Sequence, residues 1–505
     1  MYQLNPITRL DYPEPDVIRV DDTYYMLCTT MHFFPGGVIL RSYDLQHWEI
    51  AGYLFDRLDS TPQEQMLGEQ SNYGRGMEAG CLRYHKGKYY ATFYARGAQK
   101  SYLFTADRAE GPWKKQEMKN AYFDGSLLFD DDGKVYIAHG FNKIWITELE
   151  EDLSGTKEGG FERLILEDTG DNYLGFKGAH FYKINGQYYL FLSQWPKTGK
   201  ARRMQLCFQA DSLEAEFVCS KVLDDDGGYH NQGIAQGGIV DTPTGKWYAM
   251  LAQDYGAVGR IPVLVPIRFE QGIPVFGMNG KMPVNIEVSS SRPFYPYEPL
   301  VTSDDFIGTL KKQWQWNHEP DAQLWRLLPN GGLAIRTGKI STNVIHGKNT
   351  LTQRMLWPTS EAEVRVDGSK LNEGDFAGLC ALQGCYGFVG ITKEMNQYYI
   401  VVMVRKLQDS PLQDVTPDYL PGTIQEKIKI NTSTVHVRIS ADFTDMQDTV
   451  EFLYKEKEND NWNKIGKKHR LYFKMDHFMG SRYGLFTYST KEIGGEAVFQ
   501  RFVYY

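Results

Sequence analysis

Five polar residues recur at matching places in the first half of the chain: Glu14, Glu78, Asp124, Lys177 and Gln236. Each stands just ahead of an apolar run, about a dozen positions before a short aromatic-bearing pair, as a repeating unit requires. Four of the five are ionisable. Carboxyl groups and an ammonium gathered in one place shift one another's protonation, and that is the precondition for general acid–base work. Two readings are open at this level. The five form a catalytic or binding ring, or they form a salt-bridge cluster in which Lys177 neutralises neighbouring carboxylates.

The elements that must carry these residues repeat visibly. The unit is a strand, a polar turn, then a second strand opened by aromatic residues. It reads Val17-Ile18-Arg19-Val20-Asp21-Asp22-Thr23-Tyr24-Tyr25 at its first appearance and returns from Cys81, Leu127, His180 and Ile239. Asp-Gly and Asn-Gly between apolar runs are hairpin-turn chemistry. A polar turn closed by an aromatic follows several copies, as in Ser42-Tyr43-Asp44-Leu45-Gln46-His47-Trp48. Spacings of roughly 46–65 residues suit one four-stranded blade per copy, so five copies predict a five-bladed β-propeller over residues 1–290.

The repeat stops near Gly277-Met278, and the proline-bearing stretch around Pro293, Pro296 and Pro299 reads as a linker over 291–302. From 303 to 505, strand-like alternation such as Glu361-Ala362-Glu363-Val364-Arg365-Val366 continues without the repeat, which predicts a β-sandwich. The fold class is therefore all-β, a propeller followed by a sandwich. Trp314, Trp316 and Trp325 read as buried core aromatics in preference to a sugar platform.

Composition narrows the rest. A formal charge of −8 with no basic stripe argues against a nucleic-acid partner. No apolar run is long enough to span a bilayer, so no membrane role is expected. The six cysteines form no Cys-x-x-Cys pair and read as buried free thiols of a reducing compartment. The N-terminal residues lack a basic-then-apolar leader, so the chain reads as cytoplasmic, or as secreted if a leader was removed.

The sequence resembles glycoside hydrolase family 43, the five-bladed propeller enzymes that include β-xylosidases and α-L-arabinofuranosidases. The resemblance rests on Tyr12-Pro13-Glu14-Pro15-Asp16, Phe123-Asp124-Gly125-Ser126, Lys177-Gly178-Ala179-His180 and Gly256-Ala257-Val258-Gly259-Arg260. The stretch from Ser303-Asp304-Asp305-Phe306 through Trp314-Gln315-Trp316 is similar to the family's concanavalin-like sandwich, which reaches over the propeller face. The resemblance implies inverting hydrolysis, in which one carboxylate activates water and a carboxylic acid protonates the leaving oxygen across roughly 6.5–9.5 Å. It implies xylo- or arabino-oligosaccharide substrates and no required cofactor. A structural calcium ion in the propeller channel or the sandwich is left open, as is a homo-oligomer.

The chain departs from the family pattern where the chemistry lies. Glu14 replaces the base Asp, Asp124 keeps the modulator position, and Lys177 stands where the acid Glu belongs. Lysine, with an ordinary pKa near 10.4, is a poor proton donor to a glycosidic oxygen. Glu78 occupies a position commonly held by Trp, and the family's His near Gln236 is missing. Three readings follow: a glycosidase whose acid has moved to Glu78; a sugar binder with Lys177 paired to Asp124 or Glu78; or chemistry on a charged sugar clamped by Lys177 and Arg260. By the same resemblance Arg260, His32, Phe34, Trp195 and Gln236 are expected to line the sugar site. Asp16 reads as a turn acceptor in preference to a pocket residue.

Overall fold

The computed structural model describes residues 5–405 and 420–505; residues 1–4, on which part of the leader reading rests, lie outside the described residues. Five four-stranded antiparallel sheets follow one another along the chain. Their innermost strands are Asp16–Val20, Met77–His85, Ser126–Phe129, Asn172–Ile184 and Ile239–Asp241. Hairpin chemistry sets them up locally. Asn185 and Gly186 take φ of 51° and 83°, the two left-handed positions of a type I′ turn. The chain closes the propeller by running its N-terminal segment along the fifth blade, where the Asn5 amide donates to Leu264 O and accepts from Leu264 N.

Two further sheets, of eight and seven strands, form the sandwich. Alternation in Thr359–Lys370 buries Ala362, Val364 and Val366, while Asp375–Leu382 is buried throughout, as a strand covered on both faces requires. Trp314 and Trp316 are buried in this core, with Trp325 packed against it. Among the described residues the only helical pieces are three short 3-10 turns, and no helix is long and apolar enough to cross a membrane.

The two parts share a strand. Phe33–Phe34 leaves the first blade and pairs with Gln315–Asn317 at the edge of the eight-stranded sheet. The connecting segment lies along the first blade, with Arg292 against the Tyr43 ring and Asp22, and the Tyr295 hydroxyl donating to Glu49. Of the cysteines, Cys219 is exposed and the other five are buried free thiols, a correction to the reading that placed all six inside.

Candidate active site

Each inner strand opens on a left-handed backbone step. φ is 55° at Glu14, 32° at Ala79, 48° at Asp124, 62° at Gly178 and 68° at Gln236. These are the predicted ring residues or their immediate successors, so the repeat extends to the backbone conformation. Pairing with the second strand skips at the step in two blades, between Glu78 and Cys81 and between Lys177 and His180. Such bulges turn a side chain out of the pleat, here where the blades converge. Gly178 is obligatory on a second count, since a Cβ there meets Gln236 Cγ at 2.4 Å.

The carboxylate of Glu14 is buried and held on both oxygens. Oε1 accepts from Arg260 at 2.9 Å; Oε2 accepts from the Thr29 hydroxyl at 2.7 Å and from Ala79 N–H at 2.8 Å. Burial pushes its pKa up, but the Arg260 charge and these hydrogen bonds outweigh it and hold the group at about 2. Arg260 is buried in turn, with the rings of Phe478 and Phe473 at 4.6 and 5.8 Å. Those aromatics belong to the sandwich, on the segment between Asn463–Arg470 and Arg482–Ser489. Asp11 fastens that segment to the propeller by accepting from Arg260 N–H and Gly480 N–H, each at 2.8 Å.

Glu78 is also buried, beside Arg96, whose Nε lies 2.8 Å from Oε1 and whose amino group donates to Oε2 at 3.0 Å. Burial dominates here, reinforced by the charges of Asp124 and Glu14, and pushes the Glu78 carboxyl up to about 8 against the pull of Arg96 and Lys177. Asp124 is raised by burial too, with Glu14 adding and the Lys177 charge and the Gly178 N–H hydrogen bond opposing. These mutual effects show that the ring residues face one another.

Among the described residues Lys177 pairs with no carboxylate. Its ammonium lies over the rings of Phe123 and Phe141, at 4.3 and 4.8 Å, and it is the Arg96 guanidinium that lies beside the Glu78 carboxyl. The bridge from Lys177 to Asp124 or Glu78 that the sugar-binder reading called for is thus not formed: two aromatic faces satisfy the cation.

The outlying residues divide. Trp195 is 37% exposed, donates to Ala201 O, stacks obliquely on Tyr173 and lines a cleft with Arg203, His230 and Asp254. Asp254 is the register partner of Arg260, so that cleft borders the ring. Gln236 is buried, its N–H bonded to Gln205 and its side chain against Gly178. His32 and Phe34, expected in the sugar site, lie in the seam between propeller and sandwich. His32 is fully buried among Phe33, Tyr73, His318 and His477, and Phe34 packs on Phe55. The shared strand carries them there. Asp16, read as a turn acceptor, is instead a buried hub on the propeller axis, bonded to Arg83 and to Leu82 N–H.

Sequence reasoning missed Arg96, Thr29, Phe141 and the Phe473/Phe478 pair. Thr29 and Arg96 directly follow the second strands of their blades, Thr23–Cys28 and Lys88–Ala95, a position the repeat could have flagged. The sandwich aromatics carry no local signal. Among the described residues no group of three or more His, Cys, Asp or Glu side chains is placed to hold a metal ion.

The profile of Glycosyl hydrolases family 43 matches residues 3–274, and that of the Beta xylosidase C-terminal Concanavalin A-like domain matches 303–505. A beta-xylosidase of Formosa agariphila is 27% identical across 97% of this chain and 88% of its own. A non-reducing end alpha-L-arabinofuranosidase of Bacteroides ovatus is 26% identical across 83% of this chain and 81% of its own. Among solved structures, a bifunctional GH43-CE protein of Bacteroides eggerthii superposes with a TM-score of 0.91 at 39% identity; this chain spans 63% of that protein's length. With five blades converging on buried carboxyls and a concanavalin-like sandwich behind them, the chain belongs to glycosyl hydrolase family 43.

Proposed function

We propose that the protein hydrolyses O-glycosidic bonds of xylo- or arabino-oligosaccharides with inversion, using Glu14 as general base and Glu78 as general acid. The observation that carries this reading is the contrast in surroundings of two buried carboxyl groups in one ring: Glu14 accepts from Arg260, Thr29 and Ala79 N–H, whereas Glu78 is buried with Arg96 alone beside it as a donor. Arg260 and the hydrogen bonds hold Glu14 at about 2, on the side of the carboxylate, whereas burial raises Glu78 to about 8 against the pull of Arg96, on the side of the carboxylic acid. Divided protonation of this kind is what acid–base hydrolysis demands of its two carboxyls.

In the reaction Glu14 takes a proton from water while the water oxygen bonds to the anomeric carbon. The bond from that carbon to the leaving oxygen breaks, and Glu78 gives its proton to that oxygen. Exchange with solvent then restores both groups. Asp124 holds the Glu78 proton in place by its charge, and Lys177 sets an upper limit on that effect. Arg260 orients Glu14 and keeps Nε and one amino nitrogen without a protein hydrogen bond, donors suited to sugar hydroxyls. The names of the curated relatives, xylosidases and arabinofuranosidases, support the pentose substrates.

The test is turnover of 4-nitrophenyl β-D-xyloside and α-L-arabinofuranoside by wild type, Glu78→Gln and Lys177→Glu, with the anomeric product followed by NMR. Wild-type turnover lost in Glu78→Gln and not improved in Lys177→Glu supports the reading. An inert wild type that gains activity in Lys177→Glu overturns it and leaves a sugar binder.

A further inference from the structure

Below the ring, one guanidinium joins the groups that converge on Asp16 at the propeller axis. Arg83 rises from the inner strand of the second blade, Met77–His85, and is buried. All its N–H groups are used. Nε donates to Leu127 O at 2.9 Å. One amino group donates to Asp16 Oδ2 and to Leu82 O, both at 2.7 Å. The other donates to Ser126 Oγ at 2.9 Å and to Phe181 O at 3.4 Å. Its carbon also lies 4.9 Å from the centroid of the Tyr182 ring.

These partners come from different blades. Asp16 belongs to the first, Ser126 and Leu127 to the third, Phe181 and Tyr182 to the fourth. The fifth is joined through the Tyr182 hydroxyl, which accepts from Ile239 N–H at 3.0 Å and lies 3.5 Å from Asp16 Oδ1. A rigid planar fork with five donors suits such a junction, where inner strands present carbonyl oxygens from several directions.

A divalent cation has little to bind here. Calcium wants six to eight oxygen ligands, several of them anionic. The axis offers one carboxylate, Asp16, whose Oδ2 already accepts from Arg83 and from Leu82 N–H. His180 is turned towards Gly178 O through Nδ1, with Nε2 at 3.5 Å from Asp16 Oδ1. A dication set beside a fixed, fully hydrogen-bonded guanidinium meets repulsion.

We propose that Arg83 is the propeller's built-in axial cation: its guanidinium occupies the place a channel metal ion needs and ties the five blades together, so the fold takes up no divalent ion there. The donor set at the axis therefore does not fit the calcium ion left open for the channel by the family resemblance. The proposal is independent of the catalytic roles given to Glu14 and Glu78.

The experiment uses the full chain and thermal unfolding, with metal content measured by plasma mass spectrometry. The expected wild-type result is no stoichiometric calcium or transition metal, and an unchanged Tm in 5 mM EDTA or 5 mM calcium chloride. Arg83→Gln strands Asp16 and is expected to lower Tm by roughly 10 °C. Arg83→Lys, which keeps one charge and loses the fork, is expected to fall between the two and guards against a Gln variant that does not fold. Restoring neutrality with Asp16→Asn in the Arg83→Gln background is expected to recover part of the loss. A stoichiometric bound divalent ion in wild type, or a Tm that falls in EDTA, overturns the proposal. So does an Arg83→Lys protein as stable as wild type.

Discussion

The ammonium of Lys177 rests 4.3 Å from the centroid of the Phe123 ring and 4.8 Å from that of Phe141. The cation is thereby kept on aromatic faces, while its charge still acts on Glu78 and Asp124. Removing it by Lys177→Met leaves the proposed acid and base in place. Turnover is expected to persist, with the alkaline limb of the kcat/KM profile moved to higher pH, because the charge that lowers the Glu78 pKa is gone. Complete loss of turnover in a folded Lys177→Met protein assigns Lys177 a direct chemical role.

Glu78→Gln removes the transferable proton and keeps the shape. Its kcat is expected to fall by about 10²–10⁴-fold on substrates with an alcohol leaving group. The loss is expected to shrink with 2,4-dinitrophenyl glycosides, whose leaving oxygen needs no proton. Equal losses on both substrates point to a positional role instead.

The pH profile carries its own test. Glu78 must be protonated, so activity is expected to decline as pH rises through about 8. Arg96 opposes that elevation. Arg96→Gln is therefore expected to move the alkaline limb upwards, and a downward move contradicts the assignment of that limb to Glu78.

Arg260→Lys replaces a fork by a point charge and loses the stacking on Phe478. A fall in kcat/KM of about 10²-fold is expected, together with a rise in the Glu14 pKa as its principal cation loosens. The sign extends to stability. Glu14 drops from an ordinary 4.5 to about 2 on folding, so it stabilises the protein above pH 4.5 and that contribution is lost as pH falls towards 2. Urea unfolding of wild type and variant across that window measures the difference.

Asp11 accepts backbone hydrogen bonds from both parts of the molecule, at Arg260 and Gly480. Asp11→Ala leaves two buried N–H groups unsatisfied and is expected to destabilise the chain by about 2–5 kcal/mol. Because Gly480 follows the Phe478 contact with Arg260, kcat/KM is expected to drop as well. A stable variant with unchanged kinetics shows that the sandwich segment is held by its other contacts, such as Ser481 to Ala257 O.

The sequence by itself determined the five repeats, the all-β class and the ring positions. Each of these is written within one repeat length: strand, polar turn (Asp132-Gly133 and Asn185-Gly186 in two copies), aromatic-bearing pair, and a polar residue where the inner strand begins. Family resemblance extended that reading to Arg260. What the tertiary structure decided are contacts between segments far apart in the chain. His32 and Phe34 look like pocket aromatics from their loop, yet pairing of Phe33–Phe34 with Gln315–Asn317 draws them into the domain seam. Asp16 looks like a turn residue until Arg83, Tyr182 and His180 converge on it from two other blades. The protonation of Glu14 and Glu78 was equally unreadable. Both are Glu at equivalent repeat positions, and only the burial and partners that folding supplies, Arg260, Thr29 and Ala79 N–H for one, Arg96 and Lys177 for the other, drive their pKa values apart.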